Sequence, residues 1–212
     1  MPMKRIIFLF SALFLVAITM SAKKVKVTID GTVSPSQTTL YLIINEDTAH
    51  AQLIPIVDSH FSVTIKVDRD AFIRLHDWKE WPERAPFVLI PDSRHITINW
   101  REGTIEGSPM SKKLTEACRE IGKASPEGFH IDVFSDDPQA WAEAREAGAR
   151  MREQMLMEQR GIILRTIKEN NDNNIPAWIF YCYHNLLDGP FGEEAASNMG
   201  VWRKHPIMKL LK

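Results

Sequence analysis

The side chains of this 212-residue chain that could make or break bonds are two cysteines, seven histidines and a few clustered carboxylates. Cys118 and Cys182 are separated by 63 residues and fall on different predicted helices. A redox-active dithiol normally sets its cysteines one turn apart at a helix start, where the helix dipole lowers the attacking thiol's pKa. The spacing here does not meet that requirement. Three roles stay open for the pair. In an oxidising compartment they could form a structural disulfide joining the first and third helices, worth roughly 4 kcal/mol in chain entropy. They could equally be two buried free thiols acting as small apolar side chains. The third role is a redox-reactive thiol.

The histidines (His50, His60, His76, His95, His130, His184 and His205) are scattered. No His-Glu-x-x-His and no paired zinc-ribbon cysteines occur, and Cys182 and His184 stand two apart on a helix, facing different ways. No metal or other cofactor is expected. Gly-x-Ser-x-Gly, the strained turn of a serine nucleophile, is absent. Of the paired carboxylates Asp136-Asp137 and Glu193-Glu194, the first sits at a predicted helix start, where carboxylates cap and offset the dipole, and neither pair is expected to be catalytic. The expectation is a protein with no catalytic residues, although a triad of distant residues is not legible in one sequence. The remaining local feature is Trp78 and Trp81, in the charged, proline-ended stretch His76 to Pro82. They either form a binding loop, stacking on a sugar or gripping a partner, or fold back over the end of a β-sandwich. Met151, Met155 and Met157 read as core filler before they read as a binding strip.

Two kinds of element must position these residues. Over 23–107, Val25, Val27 and Ile29, then Phe61, Val63, Ile65 and Val67, then Ile96, Ile98 and Trp100 alternate with polar residues, the mark of strands with one buried face. Between them Leu40 to Ile44, Gln52 to Val57, Ala71 to His76 and Phe87 to Ile90 are short apolar runs. Turn residues such as Asp30-Gly31, Asp58-Ser59 and Pro91-Asp92-Ser93 separate the segments. Seven or eight short strands predict an antiparallel β-sandwich or partly open barrel. From 108 to 212 the pattern is helical. Ser108-Pro109 and Asp137-Pro138 are cap-plus-proline starts. Met110, Leu114, Ala117 and Ile121 share a face of the first helix. The second runs about 30 residues to the Asn170–Asn174 break, with a stripe of Trp141, Met151, Met155 and Ile162 expected against the third helix or, failing that, against a partner or second copy. The third, from near Pro176, is apolar all round, and a short fourth is placed near Glu193 to Trp202. The fold class is α+β: a β-sandwich followed by three to four helices.

Composition bounds the rest. With 44% hydrophobic and 25% charged residues and a net charge of -1, the chain is neither collagen-like nor disordered, and it lacks the positive surplus of a nucleic-acid binder. Residues 1–22 carry Lys4 and Arg5, an apolar run from Ile6 to Met20 and small residues at the end, which is the pattern of a secretory signal peptide. The run is shorter than the roughly 20 apolar residues of a membrane span. Cleavage is expected after Ser21 or Ala22, giving a periplasmic or secreted protein with no stable membrane anchor. No cysteine near the junction offers a site for lipid attachment.

Three stretches carry a family resemblance: Asp58-Ser59-His60-Phe61-Ser62-Val63, Phe87-Val88-Leu89-Ile90-Pro91 leading to Ile96-Thr97-Ile98, and Gly103-Thr104-Ile105-Glu106-Gly107-Ser108. They resemble the β-rich N-terminal domain of exported thiol-disulfide oxidoreductases of the TlpA/ResA type, domain-of-unknown-function family 4369. Asn170 to Pro176 with the apolar helix after it, and His205-Pro206-Ile207-Met208-Lys209, are similar to the linker of those proteins. Ser59 and Ser93 stand where the family usually has glycine, so two turns are expected to be made differently. The chain ends at Lys212, where the relatives' thioredoxin-fold module with its Cys-x-x-Cys begins, so no activity follows from the resemblance. The expected role is a non-catalytic binding or scaffolding protein of the cell envelope, engaging an unknown protein partner or a second copy through its helical region. The alternatives are an accessory or truncated part of a TlpA-like thiol-disulfide system, or a carbohydrate-binding module.

Overall fold

The computed structural model describes residues 24–77, 87–132 and 134–211. The predicted signal peptide and the tryptophans Trp78 and Trp81 lie outside the described residues. Eight strands form two four-stranded sheets: β1 (Lys24–Thr32), β2 (Leu40–Ile44), β3 (Gln52–Ile54), β4 (His60–Asp68), β5 (Ile73–His76), β6 (Phe87–Leu89), β7 (His95–Asn99) and β8 (Thr104–Glu106). Sheet A has the order β4-β1-β7-β8 and sheet B the order β3-β2-β5-β6. Neither closes into a barrel. All pairings are antiparallel except β1 with β7, which run parallel from Thr28↔His95 to Thr32↔Asn99. β7 enters sheet A from sheet B at the same end as β1, and that fixes its direction.

The two hydrophobic grammars of the β half divide between the two sheets. The alternating segments β1, β4 and β7 all belong to sheet A. Val27, Ile29, Val63, Ile65, Ile96 and Ile98 face the sandwich core, while Thr28 and Thr64 meet on the outer face, their hydroxyls 3.0 Å apart. The continuous apolar runs supply sheet B. Leu42, Ile73, Leu75 and Leu89 enter the same sandwich core. Val88, together with Phe72 and Ile90 flanking the strands, joins a second core made with the helices. A strand buried on both faces has no use for polar alternation, so an apolar run marks the middle layer of a sheet–sheet–helix stack.

Helices α1 (Pro109–Lys123), α2 (Pro138–Glu169), α3 (Ile175–Tyr183) and α4 (Gly189–Ser197) follow, then 3-10 turns at Val201–Lys204 and Pro206–Leu211. Ser108 and Asp137 are the N-caps, accepting from the amides of Ser111 and Gln139, each with proline behind it. The cap of α1 is also a weld to sheet B. Asp92 accepts from Met110 N–H at 2.8 Å and from Ser108 Oγ at 2.5 Å, and the buried Ser111 hydroxyl accepts from Ile90 N–H at 2.8 Å. The chain end is fastened in the same way. Buried His205 holds the Asp70 carbonyl through Nε2 at 2.5 Å and accepts from Ile207 N–H through Nδ1 at 3.1 Å, with its ring against Phe72. Burial pushes its pKa down, and these bonds suit the neutral ring with its proton on Nε2.

Two expectations need correction. The last helix begins at Gly189, and Trp202 sits apart in a 3-10 turn, fully buried. The stripe on α2 does not run its full length against α3. Ile162, Ile163 and Ile167 are buried, but Trp141 and Met151 are 45% and 48% exposed. With 9 residues, α3 spans about 14 Å, against about 48 Å for the 32 residues of α2. Against the first half of α2 lies the preceding loop, where Trp141 Nε1 donates to the Ser135 carbonyl at 2.6 Å and Ile131 lies over Gly148.

At the Asp58-Ser59 turn both residues take the left-handed conformation (φ 51° and 62°) in a two-residue hairpin closed between Val57 and His60, which is type I′ geometry. At Ser93 the hydroxyl supports the turn, donating to the His95 carbonyl at 3.0 Å. Left-handed backbone costs a non-glycine residue about 1–2 kcal/mol, partly offset by glycine's greater unfolded-state entropy. Ser59→Gly should therefore stabilise the protein by about 0.5–1 kcal/mol in urea denaturation; a loss of stability would show that the serine is not strained.

Candidate binding cavity

Three elements that are distant in sequence enclose a cavity of about 460 Å³. The end of sheet B gives it Phe87 and Val88, α1 gives Leu114, Thr115, Cys118 and Arg119, and α3 gives Trp178, Cys182 and Tyr183. The sandwich leaves a gap where its two edge strands, β6 and β8, face the helices. The Asp92–Ser108 weld holds the N-terminal end of α1 against β6 at one side of this gap.

Both cysteines line the cavity, and both are free thiols. Cys118 is half-buried, and Cys182, whose residue surface is open, lines the same concavity. Burial pushes each thiol up to about 12; for Cys182 the neighbouring Cys118 adds to the effect. Tyr183 is raised for the same reasons, burial first and then the two thiols. A thiolate is the nucleophile in disulfide exchange, and in this apolar wall the charged form is disfavoured. The structure thus brings the two predicted thiols together as neutral lining groups. Both are free thiols, Cys118 half-buried and Cys182 exposed, and Arg119 lines the same cavity.

A second concavity of about 380 Å³ adjoins the first and shares Gly103, Thr115 and Arg119 with it. It runs between β8 and the face of α1 that carries Lys112, Thr115, Glu116 and Arg119, and Glu102 and Glu106 line its other side. A further concavity, of about 740 Å³, lies against sheet A, lined by residues such as Asp30, His60, Ser62 and Asn99, and shares Glu102, Thr104 and Glu106 with the second. There His95 Nε2 approaches Asp30 at 3.3 Å on the exposed face.

The other sequence candidates fall elsewhere. Trp78 and Trp81 lie outside the described residues. Among the described residues no group of His, Cys, Asp and Glu is arranged to hold a metal ion, and no helix is long and apolar enough to cross a membrane. Asp137 caps α2, as its position suggested. Arg119, Thr115 and Tyr183 were not foreseen as site residues. The available signal was the polar-free third helix, whose side chains exceed what one neighbouring helix can bury.

Compared with protein-family models, with curated proteins and with solved structures, the chain matches none. The cavity is therefore interpreted from its own geometry.

The thiol environment makes a direct prediction. At pH 8 a thiol titrating at about 12 is about a thousandfold less ionised than an ordinary cysteine near 8.5–9. Alkylation of Cys118 by iodoacetamide in the native protein should be at least a hundredfold slower than in the urea-unfolded protein, and should keep rising up to pH 10. A fast native phase at Cys118 with a plateau near neutral pH would contradict this placement.

Proposed function

We propose that the protein is an exported, non-catalytic binding and scaffolding protein of the cell envelope. It is periplasmic or secreted after loss of its signal peptide, and related to the β-rich domain that accompanies TlpA/ResA-like oxidoreductases. The observation that carries this reading is the pair of thiols. They line an apolar cavity of ligand size and are held protonated there, which favours a wall that accommodates a guest over a thiol that exchanges. The alternative in which the chain contributes a reactive thiol to a redox system would require a lowered thiol pKa, and both are raised.

The scaffolding part of the reading rests on the exposed half of α2. Phe134 is 96% exposed at its foot, and Trp141, Met151 and Met157 are each close to half exposed along it. Between residues 143 and 160 the helix carries four glutamates and four arginines. That balance suits a second copy lying antiparallel, in a register that sets three of the four glutamates opposite arginines.

The test uses the full-length precursor expressed in a Gram-negative host. The protein should be recovered from the periplasm with its N-terminus at Ala22 or Lys23. It should not accelerate insulin disulfide reduction above the dithiothreitol background, and it should sediment as a dimer that Met151→Glu converts to monomer. Retention in the cytoplasm with Met1 intact would end the export reading, insulin turnover would end the non-catalytic one, and a monomer at all concentrations would remove the self-association.

A further inference from the structure

The two adjoining concavities share a wall that is itself a recognition element. β8 is the outer strand of sheet A; it pairs with β7 on one side and with no strand on the other. Among the described residues no hydrogen bond reaches its backbone from that open side. An unpaired strand edge is a template for another extended chain, and proteins that do not use such an edge normally cover or charge it. Here α1 stands beside the edge and leaves a channel. Lys112, Thr115, Glu116 and Arg119, spaced i, i+3, i+4 and i+7, present one helix face to it. At the Gly103–Arg119 end the channel opens into the apolar cavity that holds the thiols. A polar channel beside a free edge, ending in an apolar hole, matches the two demands of an extended peptide: main-chain hydrogen bonds along the edge and a pocket for one large side chain.

We propose that this channel takes an extended peptide segment of another protein, added to sheet A along the free edge of β8, with one bulky apolar side chain in the cavity beside Leu114 and Trp178. The charge of the channel selects among such segments. Glu102, Glu106 and Glu116 outnumber Lys112 and Arg119, and neither Arg119 nor Lys112 forms an ion pair among the described residues. Basic residues flanking the apolar one fit this balance, with the acidic side chains on both walls to receive them. Glycine at 103, in the left-handed conformation (φ 68°) and with nothing within 4 Å of where a Cβ would stand, leaves the junction of the two concavities open. The inference rests on the reading of the protein as a binding module. Insulin turnover would end that reading, whereas failure of the peptide experiment ends only this one.

The experiment uses the mature protein and acetylated, amidated pentapeptides with the order Lys-Val-X-Val-Lys, where X is Phe, Leu, Trp or Gly. Binding is followed by isothermal titration calorimetry. At least one bulky-X peptide should bind saturably at one per protein, and the Gly peptide should bind at least tenfold more weakly. Of the two forms of the bulky peptide carrying N-methyl groups on alternate amides, the one whose methyl groups face β8 should lose at least tenfold, while the other, whose pairing edge is free, should bind like the unmethylated peptide. Glu106 is exposed, so Glu106→Lys should keep the melting temperature while weakening binding at least threefold. No saturable binding by the Phe, Leu and Trp peptides would overturn the proposal. So would equal affinity of every N-methylated form, which would make the site a simple apolar pocket, or indifference to Glu106→Lys.

Discussion

Sheet B is covered on both faces along β2, β5 and β6, with its β3 edge open to water at Gln52 and Leu53, and this constraint organises the molecule. One face of its strands completes the sandwich core with sheet A; the other, through Val88 and the flanking Phe72 and Ile90, needs the helices. Those three side chains are worth on the order of 2 kcal/mol each when buried, so leaving them in water would remove much of a typical domain's margin of stability. The helices are equally dependent, because α3 is apolar on every side and has sheet B and α2 as its walls. The two halves of the chain are therefore a sandwich and its lid, each completing the other's core.

The candidate site follows from how imperfectly that lid fits. Where α1 is welded to the sheet by Asp92, Ser108 and Ser111, contact is tight. Between β8 and the face of α1 from Lys112 to Arg119 lies a channel, and it meets the cavity at Gly103, Thr115 and Arg119. Cys118 and Cys182 are brought together only because α1 and α3 both close this gap. Their high pKa values are a consequence of the same apolar surroundings that make the gap a place for a guest. Similarly, α2 is far longer than anything available to pack on it, which leaves its first half to a loop and to solvent.

Much of the fold was legible in the residues. The Ser108-Pro109 and Asp137-Pro138 starts and the asparagine-rich break after α2 are local signals, and local chemistry decides them. The difference between alternating and continuous apolar strands turned out to sort the strands by sheet. What could not be read from the residues was anything set by relative placement. The parallel pairing of β1 with β7 depends on the route between sheets, and the exposure of Trp141 depends on α3 being short. The cavity required Leu114, Trp178 and Phe87 to meet across 91 positions of chain. Neither cysteine carries a sequence neighbour that announces the other. The left-handed Asp58-Ser59 pair shows a non-glycine turn in the twist that a two-residue hairpin demands.

The interdependence of the two cores is tested most directly by native-state hydrogen exchange across a series of low urea concentrations. If sheet B joins them, the most protected amides of the sandwich, such as those of Ile29 and Ile96, should open with the same free energy and urea dependence as those of Ile163 and Ile179 in the helical core. Helical amides that exchange through a separate, cheaper opening while the sandwich stays protected would contradict the account.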